Sequence, residues 1–306
     1  MVVRMIALAV HGGAWDIPDE LVEPHREGLQ RSLNAGWTAL LRGGTAVDAV
    51  EAAIVTMEDD EAFDAGRGSF INQAGEVELD ASIMDGRTMR AGAVAGVQNI
   101  RNPIRLARKI MDESEHVLLA GMGAVRFARE HGLSTCSQDD LITDRELQRW
   151  RETQRRGGGS VKDAFRRKKV PADTVGAVAL DAAGDFASGT STGGVPNKYP
   201  GRVGDSPLIG CGTYAENGLG GVSTTGWGEA MIRVVMAKSV LDTLERNQAG
   251  PQAAAEEGIR MLERKVQGFG GVVVLGRSGA VGLAFNTPRM ARGYMTAAMD
   301  TPVVLV

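Results

Sequence analysis

A threonine hydroxyl is a weak nucleophile on its own and needs a base beside it. Thr174 stands where the chain itself can supply one. It follows a polar, basic run and opens a stretch of alternating apolar residues, 174–181. If the Asp173–Thr174 bond breaks, the freed α-amine lies within reach of the same residue's hydroxyl. An α-amine, with a pKa of about 7.7–8.0, suits a base near neutral pH. The break needs no outside catalyst. The Thr174 hydroxyl attacks the Asp173 carbonyl, an ester forms, and water opens it, with the Asp173 carboxylate available as base. On local pattern alone, however, the plainer reading outweighs this one: Thr174 as the first residue of a strand, where threonine is common.

Other chemistries fit less well. Gly189-Thr190-Ser191-Thr192-Gly193 matches the G-x-S-x-G nucleophile elbow. An elbow needs a helix straight after it, and Gly194, Val195 and Pro196 make poor helix. There is no Walker loop. Gly121-Met122-Gly123 begins a dinucleotide fingerprint, but Arg126 stands where the third small residue belongs, so the stretch reads as a helix start. His11, His25, His116 and His131 lack metal-site spacing and read as structural.

The elements that must position Thr174 show in the periodicity. Residues 4–10 read as a buried strand ending in a turn at His11-Gly12-Gly13. Leu29, Leu33, Trp37 and Leu40 recur at helical spacing, which predicts a helix from Asp19 to Leu41. Thr45 with Asp48 three residues on resembles a capping box for a second helix. Residues 77–83 alternate as a strand does, Pro103 opens another helix, and 116–120 look like a strand. Residues 145–169 are polar, strongly basic and broken by Gly157-Gly158-Gly159, which predicts an exposed, mobile linker. Beyond it come a hairpin at 174–181 and 186–190, helices near 227–247 and 251–266, and strands at 270–275 and 280–285. Strands at both ends with helices between suggest stacked sheets covered by helices.

Bulk properties narrow the class. With 306 residues the chain can bury a sizeable core. A net charge of -4 gives no reason to expect a nucleic-acid partner. Two cysteines, Cys136 and Cys211, exclude a disulfide framework and read as reduced thiols in a cytoplasm. The apolar start lacks a signal-peptide cleavage pattern, and no run approaches the ~18 apolar residues of a membrane span.

Seven ordered segments then change the balance at Thr174: HGGAW (11–15), FDAGRGS (63–69), ELDASIMDG (78–86) with AGAVAGV (91–97), DTVGAVALD (173–181), GTSTGG (189–194), GRVGDSP (201–207) and STTGWGE (223–229). Through them the chain resembles, nearly end to end, the plant-type L-asparaginase/isoaspartyl peptidase family of N-terminal nucleophile hydrolases. The resemblance implies a four-layer αββα sandwich, α+β in class. It would form one domain, cut into 1–173 and 174–306 and paired as a homodimer of cleaved units. It implies hydrolysis of L-asparagine and β-aspartyl dipeptides through a β-aspartyl ester on Thr174. Thr192 is similar to the threonine that bonds the nucleophile, and Thr225 with the Gly226 N–H looks like the oxyanion hole. Arg202 and Asp205 resemble the pair that grips the substrate's α-carboxylate and α-amine, joined by the Gly228 carbonyl. Each also has a plainer reading, as a surface ion pair for Arg202 and Asp205 and as turn caps for Thr192 and Thr225.

Gly12 and Gly13 would form a mobile loop near the nucleophile. The loop 57–67 resembles one whose backbone carbonyls, at Met57, Glu58, Asp60, Phe63, Ala65 and Arg67, hold a structural sodium ion. The chemistry requires no cofactor. Three residues depart from the pattern. Asp64 replaces an asparagine, and its carboxylate would raise the pKa of the new amine. Asp173 replaces a glycine, as in glycosylasparaginases, which keeps cleavage of N-acetylglucosaminyl-asparagine open as the alternative. Trp227 replaces a smaller residue and would narrow the pocket.

Overall fold

The computed structural model describes residues 5–157, 173–247 and 250–306. Among these residues the protein is a mixed α+β fold of two sheets and eight helices. The first strand, β1 (Ala7–Trp15), is buried along its length. Two helices follow, α1 (Asp19–Leu41) and α2 (Ala46–Glu58). The expected capping box starts α2: the Thr45 hydroxyl accepts from Asp48 N–H, and the Asp48 carboxylate accepts from Thr45 N–H. Next come β2 (Leu79–Asp85), β3 (Ala91–Val97), α3 (Pro103–Glu113), β4 (Leu118–Ala120), α4 (Gly121–Glu130) and α5 (Asp144–Arg155). After residue 173 come β5 (Val175–Leu180), β6 (Phe186–Thr192), β7 (Thr213–Glu216) and β8 (Gly220–Gly226). The chain ends with α6 (Gly228–Val234), α7 (Met236–Asn247), α8 (Gly250–Val266), β9 (Gly270–Gly276), β10 (Val281–Phe285), β11 (Arg289–Thr296) and β12 (Val303–Leu305).

The larger sheet runs β12-β11-β1-β5-β6-β2-β3-β4 and the smaller β10-β9-β8-β7. Strand β5 lies between β1 and β6, so residues on either side of Thr174 interleave in one sheet. Alternation along the strands explains the packing. Leu8 and Val10 of β1 join Leu29, Leu33 and Ile54 of α1 and α2 in one apolar cluster. Their neighbours Ala7 and Ala9 join Val273 and Leu275 of β9 in another. On the far side of β9, Val272 and Val274 pack with Met231, Val240 and Leu262 of α6, α7 and α8. Each central strand is therefore apolar on both faces, as buried strands are.

Several expectations need correction. Residues 144–155 are helix, not linker. Thr143 caps it by accepting from Glu146 N–H, and the Trp150 indole donates to the Asn72 carbonyl at 2.8 Å. Two of the arginines that read as solvated charge, Arg145 and Arg149, instead hold the buried Glu146. The rest of the predicted linker, 158–169, lies outside the described residues. His11-Gly12-Gly13 is not a turn or a loop but part of β1, which carries one extra residue against β11 between His11 and Ala14. Such a bulge bends a strand without ending it. The helix expected at 227–247 is two helices, broken at Val235, which sits at φ 48°. Past the break, Ala237 and Lys238 N–H donate to the Cys211 and Gly210 carbonyls.

Candidate active site

Strand register places Thr174. Val175 pairs with Gly12 of β1 on one side and Ser191 of β6 on the other. Thr174 therefore emerges beside the β1 bulge and the end of β6, and is only 5% exposed. Its hydroxyl donates to Thr192 Oγ1 at 3.2 Å. Thr192 also accepts from Gly194 N–H at 2.9 Å and donates to Asp64 Oδ2 at 3.4 Å. Thr225 lies within β8 and caps no turn, whereas Thr192, at the end of β6, caps the turn that follows through Gly194 N–H while also bonding Thr174.

The backbone of Thr174 is held from β1. His11 Nδ1 lies 2.9 Å from the Thr174 carbonyl, which can only accept, so Nδ1 carries the hydrogen. Its Nε2 then accepts from Ser223 Oγ at 2.7 Å. Burial pulls the His11 pKa down to about 4, against the opposing pull of the Thr174 carbonyl. A neutral imidazole thus bridges the strand that begins at Thr174 to β8 of the other sheet. The sheets nearly touch there: a Cβ on Gly176 would fall 2.1 Å from Ser223 Oγ.

Ser191, the elbow candidate, turns away from Thr174's partners and donates to the buried Glu58 carboxylate at 2.6 Å. Within a strand and with no helix following it, it lacks the elbow geometry. Asp64 Oδ1 accepts from Phe70 N–H at 2.7 Å. Burial pushes the Asp64 carboxyl well above the usual range, and nearby Asp173 adds to this. The shift is toward the neutral acid, whereas it is the carboxylate that would raise the pKa of a new amine.

Asp173 is buried, with Oδ2 3.0 Å from His25 Nε2. Its Oδ1 has no hydrogen-bond partner among the described residues. Gly13, at φ 100°, leaves the space for it: a Cβ there would lie 2.2 Å from Oδ1. Gly12 backs onto the Phe63 ring in the same way.

A second group of residues gathers at Gly228, the start of α6. A Cβ on Gly228 would lie 2.9 Å from both Arg202 Nη2 and Asp205 Oδ1. Arg202 and Asp205 thus flank one backbone position but do not form the surface pair the spacing allowed. Arg202 instead donates through Nε and Nη2 to the two oxygens of Glu229, each at 2.9 Å. The Glu229 carboxylate also takes a hydrogen bond from the Trp227 side chain. Asp205 Oδ2 accepts from Thr224 Oγ1 at 2.8 Å. Burial raises the Asp205 pKa to about 6, with Thr224 and Arg202 pulling the other way. An arriving ammonium would favour the carboxylate. Lys198, 1% exposed, donates to the Glu78 carbonyl at 2.8 Å.

Thr225 is fully buried and pairs in register with Gly271 of β9. Gly226 sits at φ 140°, with Gly270 Cα and the Phe269 carbonyl 2.5 Å from where a Cβ would be. Only glycine fits so close a backbone. Trp227 is half-buried and packs partly against the cluster under the smaller sheet.

The sequence reading missed His11, His25 and Glu229. Both histidines fell to a test for metal spacing that neither needed to pass. Glu229 stood in a motif already quoted, directly after Gly228, with its opposite charge 27 positions from Arg202.

A family model described as Asparaginase matches residues 4–305. The chain is 41% identical to the isoaspartyl peptidase/L-asparaginase of Xenopus laevis over 284 residues, covering 93% of this chain and 90% of the relative. It is 42% identical to that of Danio rerio over 284 residues, with the same coverage of 93% and 90%. Against that of Homo sapiens it is 43% identical over 273 residues, covering 89% and 87%.

Proposed function

The chain belongs to the asparaginase family, and from that premise we propose that it hydrolyses the side-chain amide of L-asparagine and of β-aspartyl dipeptides, after cutting itself before Thr174. The observation that carries this reading is the Thr174 hydroxyl. It is buried at a strand start, bonded to Thr192, and one peptide bond from becoming a terminal residue.

In the first step the Thr174 hydroxyl attacks the Asp173 carbonyl. The C–N bond breaks as the ester forms, the hydroxyl proton passes to the departing nitrogen, and water opens the ester. The freed amine then takes the hydroxyl proton as Oγ1 attacks the substrate's β-carbonyl. Thr225 and the Gly226 N–H hold the oxyanion. The amine returns the proton to the leaving ammonia or amino acid, and water releases aspartate from the ester. Arg202 holds the α-carboxylate, and Asp205 with the Gly228 carbonyl holds the α-ammonium. Glu229 takes Nε and one Nη2 hydrogen of Arg202, which leaves the Nη1 and second Nη2 hydrogens for a substrate carboxylate.

The same reading makes the fold a four-layer αββα sandwich of the N-terminal nucleophile type, one domain from two cut chains. The three apolar clusters, two outside the sheets and one between them, support it. It also makes the protein a homodimer of cleaved units, acting on small molecules or dipeptides and not on nucleic acid or membranes. No helix of the described residues is long and apolar enough to cross a membrane. Both cysteines are free thiols, which supports a cytoplasmic site of action. A structural sodium ion in the loop 57–67 fits its donors, which are hard carbonyl oxygens. The Glu61 and Phe63 carbonyls converge within 2.9 Å of where a Cβ on Gly68 would be. The carbonyls of Met57, Glu58 and Asp60 each accept a backbone N–H and keep a second lone pair.

A substrate panel tests the proposal. L-Asparagine and β-Asp-Leu should turn over. α-Asp-Leu should not, because its scissile carbonyl is the group Arg202 needs as a free carboxylate. Glutamine should be slower by about 10²-fold, since one methylene misplaces the carbonyl. Fast turnover of α-Asp-Leu overturns the binding mode. A clear preference for N-acetylglucosaminyl-asparagine moves the assignment to a glycosylasparaginase.

A further inference from the structure

Asp173 places a carboxyl group one residue before the reacting hydroxyl, in a pocket sealed from water. Its surroundings come from three separate parts of the chain. Gly13 in the β1 bulge opens the space, and His25 from α1 reaches in to Oδ2. The Phe63 ring stands edge-on to His25, with centroids 5.1 Å apart. His25 is fully buried, and its other nitrogen, Nδ1, lies 2.7 Å from the Leu21 carbonyl. A carbonyl only accepts, so Nδ1 carries a hydrogen. The contact of Nε2 with Oδ2 at 3.0 Å must then also contain one, because two lone pairs would otherwise face each other. The imidazole and the carboxyl therefore share one proton across that contact.

We infer that His25 is a positioning residue for self-cleavage: it grips the Asp173 side chain through the shared proton and so fixes the Asp173 carbonyl before the Thr174 hydroxyl. This rests on the self-cleavage reading above. His25 touches none of the reacting atoms. The bond that forms is Thr174 Oγ1 to the Asp173 carbonyl carbon. The bond that breaks is that carbon to the Thr174 nitrogen, and the hydroxyl proton ends on that nitrogen. With an acidic residue before the nucleophile, the grip keeps a buried charge from being left alone.

The test follows self-cleavage of precursor refolded from denaturant, by denaturing electrophoresis, in wild type, His25→Gln, Asp173→Gly and the double variant. His25→Gln should slow cleavage by about ten- to a hundredfold when Asp173 is present, the scale of one charge-assisted hydrogen bond. In the Asp173→Gly background the same change should have an effect of about twofold or less, because its partner is gone. Equal slowing in both backgrounds makes His25 a core residue and overturns the proposal, as does no slowing in either. If His25→Gln does not fold, His25→Asn is read in the same two backgrounds, and slowing that does not depend on Asp173 overturns the proposal. If wild type and Asp173→Gly both stay uncut, it is the self-cleavage reading that fails, and the role of His25 falls with it.

Discussion

Arg202 meets its site with Nε and Nη2 already donating to Glu229. Three N–H donors, two on Nη1 and one on Nη2, remain for a substrate carboxylate beside the carboxylate of the protein. This favours a guanidinium that is held in place before substrate arrives, because less rotamer freedom is then lost on binding. Arg202→Ala should still self-cleave, since Arg202 hydrogen-bonds Glu229 and neither Thr174 nor Asp173. It should lose about 1.5–3 kcal/mol of substrate binding, or on the order of ten- to a hundredfold in kcat/KM. Steady-state kinetics on L-asparagine checks this, and an unchanged kcat/KM removes Arg202 from the site. At this scale the sequence was legible where residue type and chemistry coincide. Thr174 drew attention for what a hydroxyl beside a freed amine can do, but it and Thr192, Arg202 and Asp205 were assigned roles only through the resemblance carried by the seven segments. Glu229 and His25 were not, because their partners are distant in sequence and only the fold brings them within 3.0 Å.

The element that most shapes the reacting peptide is the bulge in β1. It lets a strand run through His11-Gly12-Gly13, keeps His11 under Thr174, and opens the space that Asp173 fills. Gly13→Ala should be costly for two reasons: a Cβ at φ 100° is strained, and it would collide with the Asp173 carboxyl. The expected loss is about 1–3 kcal/mol of stability. It is best measured by denaturant melts in a Thr174→Ala background, so that cleavage does not intrude. No change in the midpoint would mean that the bulge is not as drawn. Elements with their own periodicity or caps were legible: α1 and the capping box of α2 fall where the pattern put them. Five strands, β3, β7, β8, β11 and β12, were not picked out. AGAVAGV and GGVSTTG are so rich in glycine and small residues that alternation is faint. The β1 bulge was hidden for the same reason, since two glycines read as a turn. Helix α5 was hidden by its charge, because a buried glutamate among arginines has the composition of a solvated linker.

Across the whole molecule, buried ionisable groups tie stability to pH. Glu58 is fully buried behind the site, and burial raises its pKa from 4.5 to about 8 against the hydrogen bonds from Ser191 and Ile104. The unfolded chain releases that proton near 4.5 and the folded chain near 8, so the folded state binds more protons in between. Stability should then fall as pH rises across that window and level off above it. Glu58→Gln should flatten the fall, and melting temperatures of the two proteins between those limits measure it. Parallel curves would show that Glu58 is ionised in the fold. The central claim is that one chain becomes an enzyme by exposing Thr174. Mass spectrometry of the purified protein, before and after incubation, tests it most directly when run beside Thr174→Ala and an activity assay. The wild-type chain should resolve into two fragments, the smaller beginning at Thr174, and gain activity as it does so. Thr174→Ala should stay whole and inactive. Full activity from an uncut Thr174→Ala chain would contradict the account.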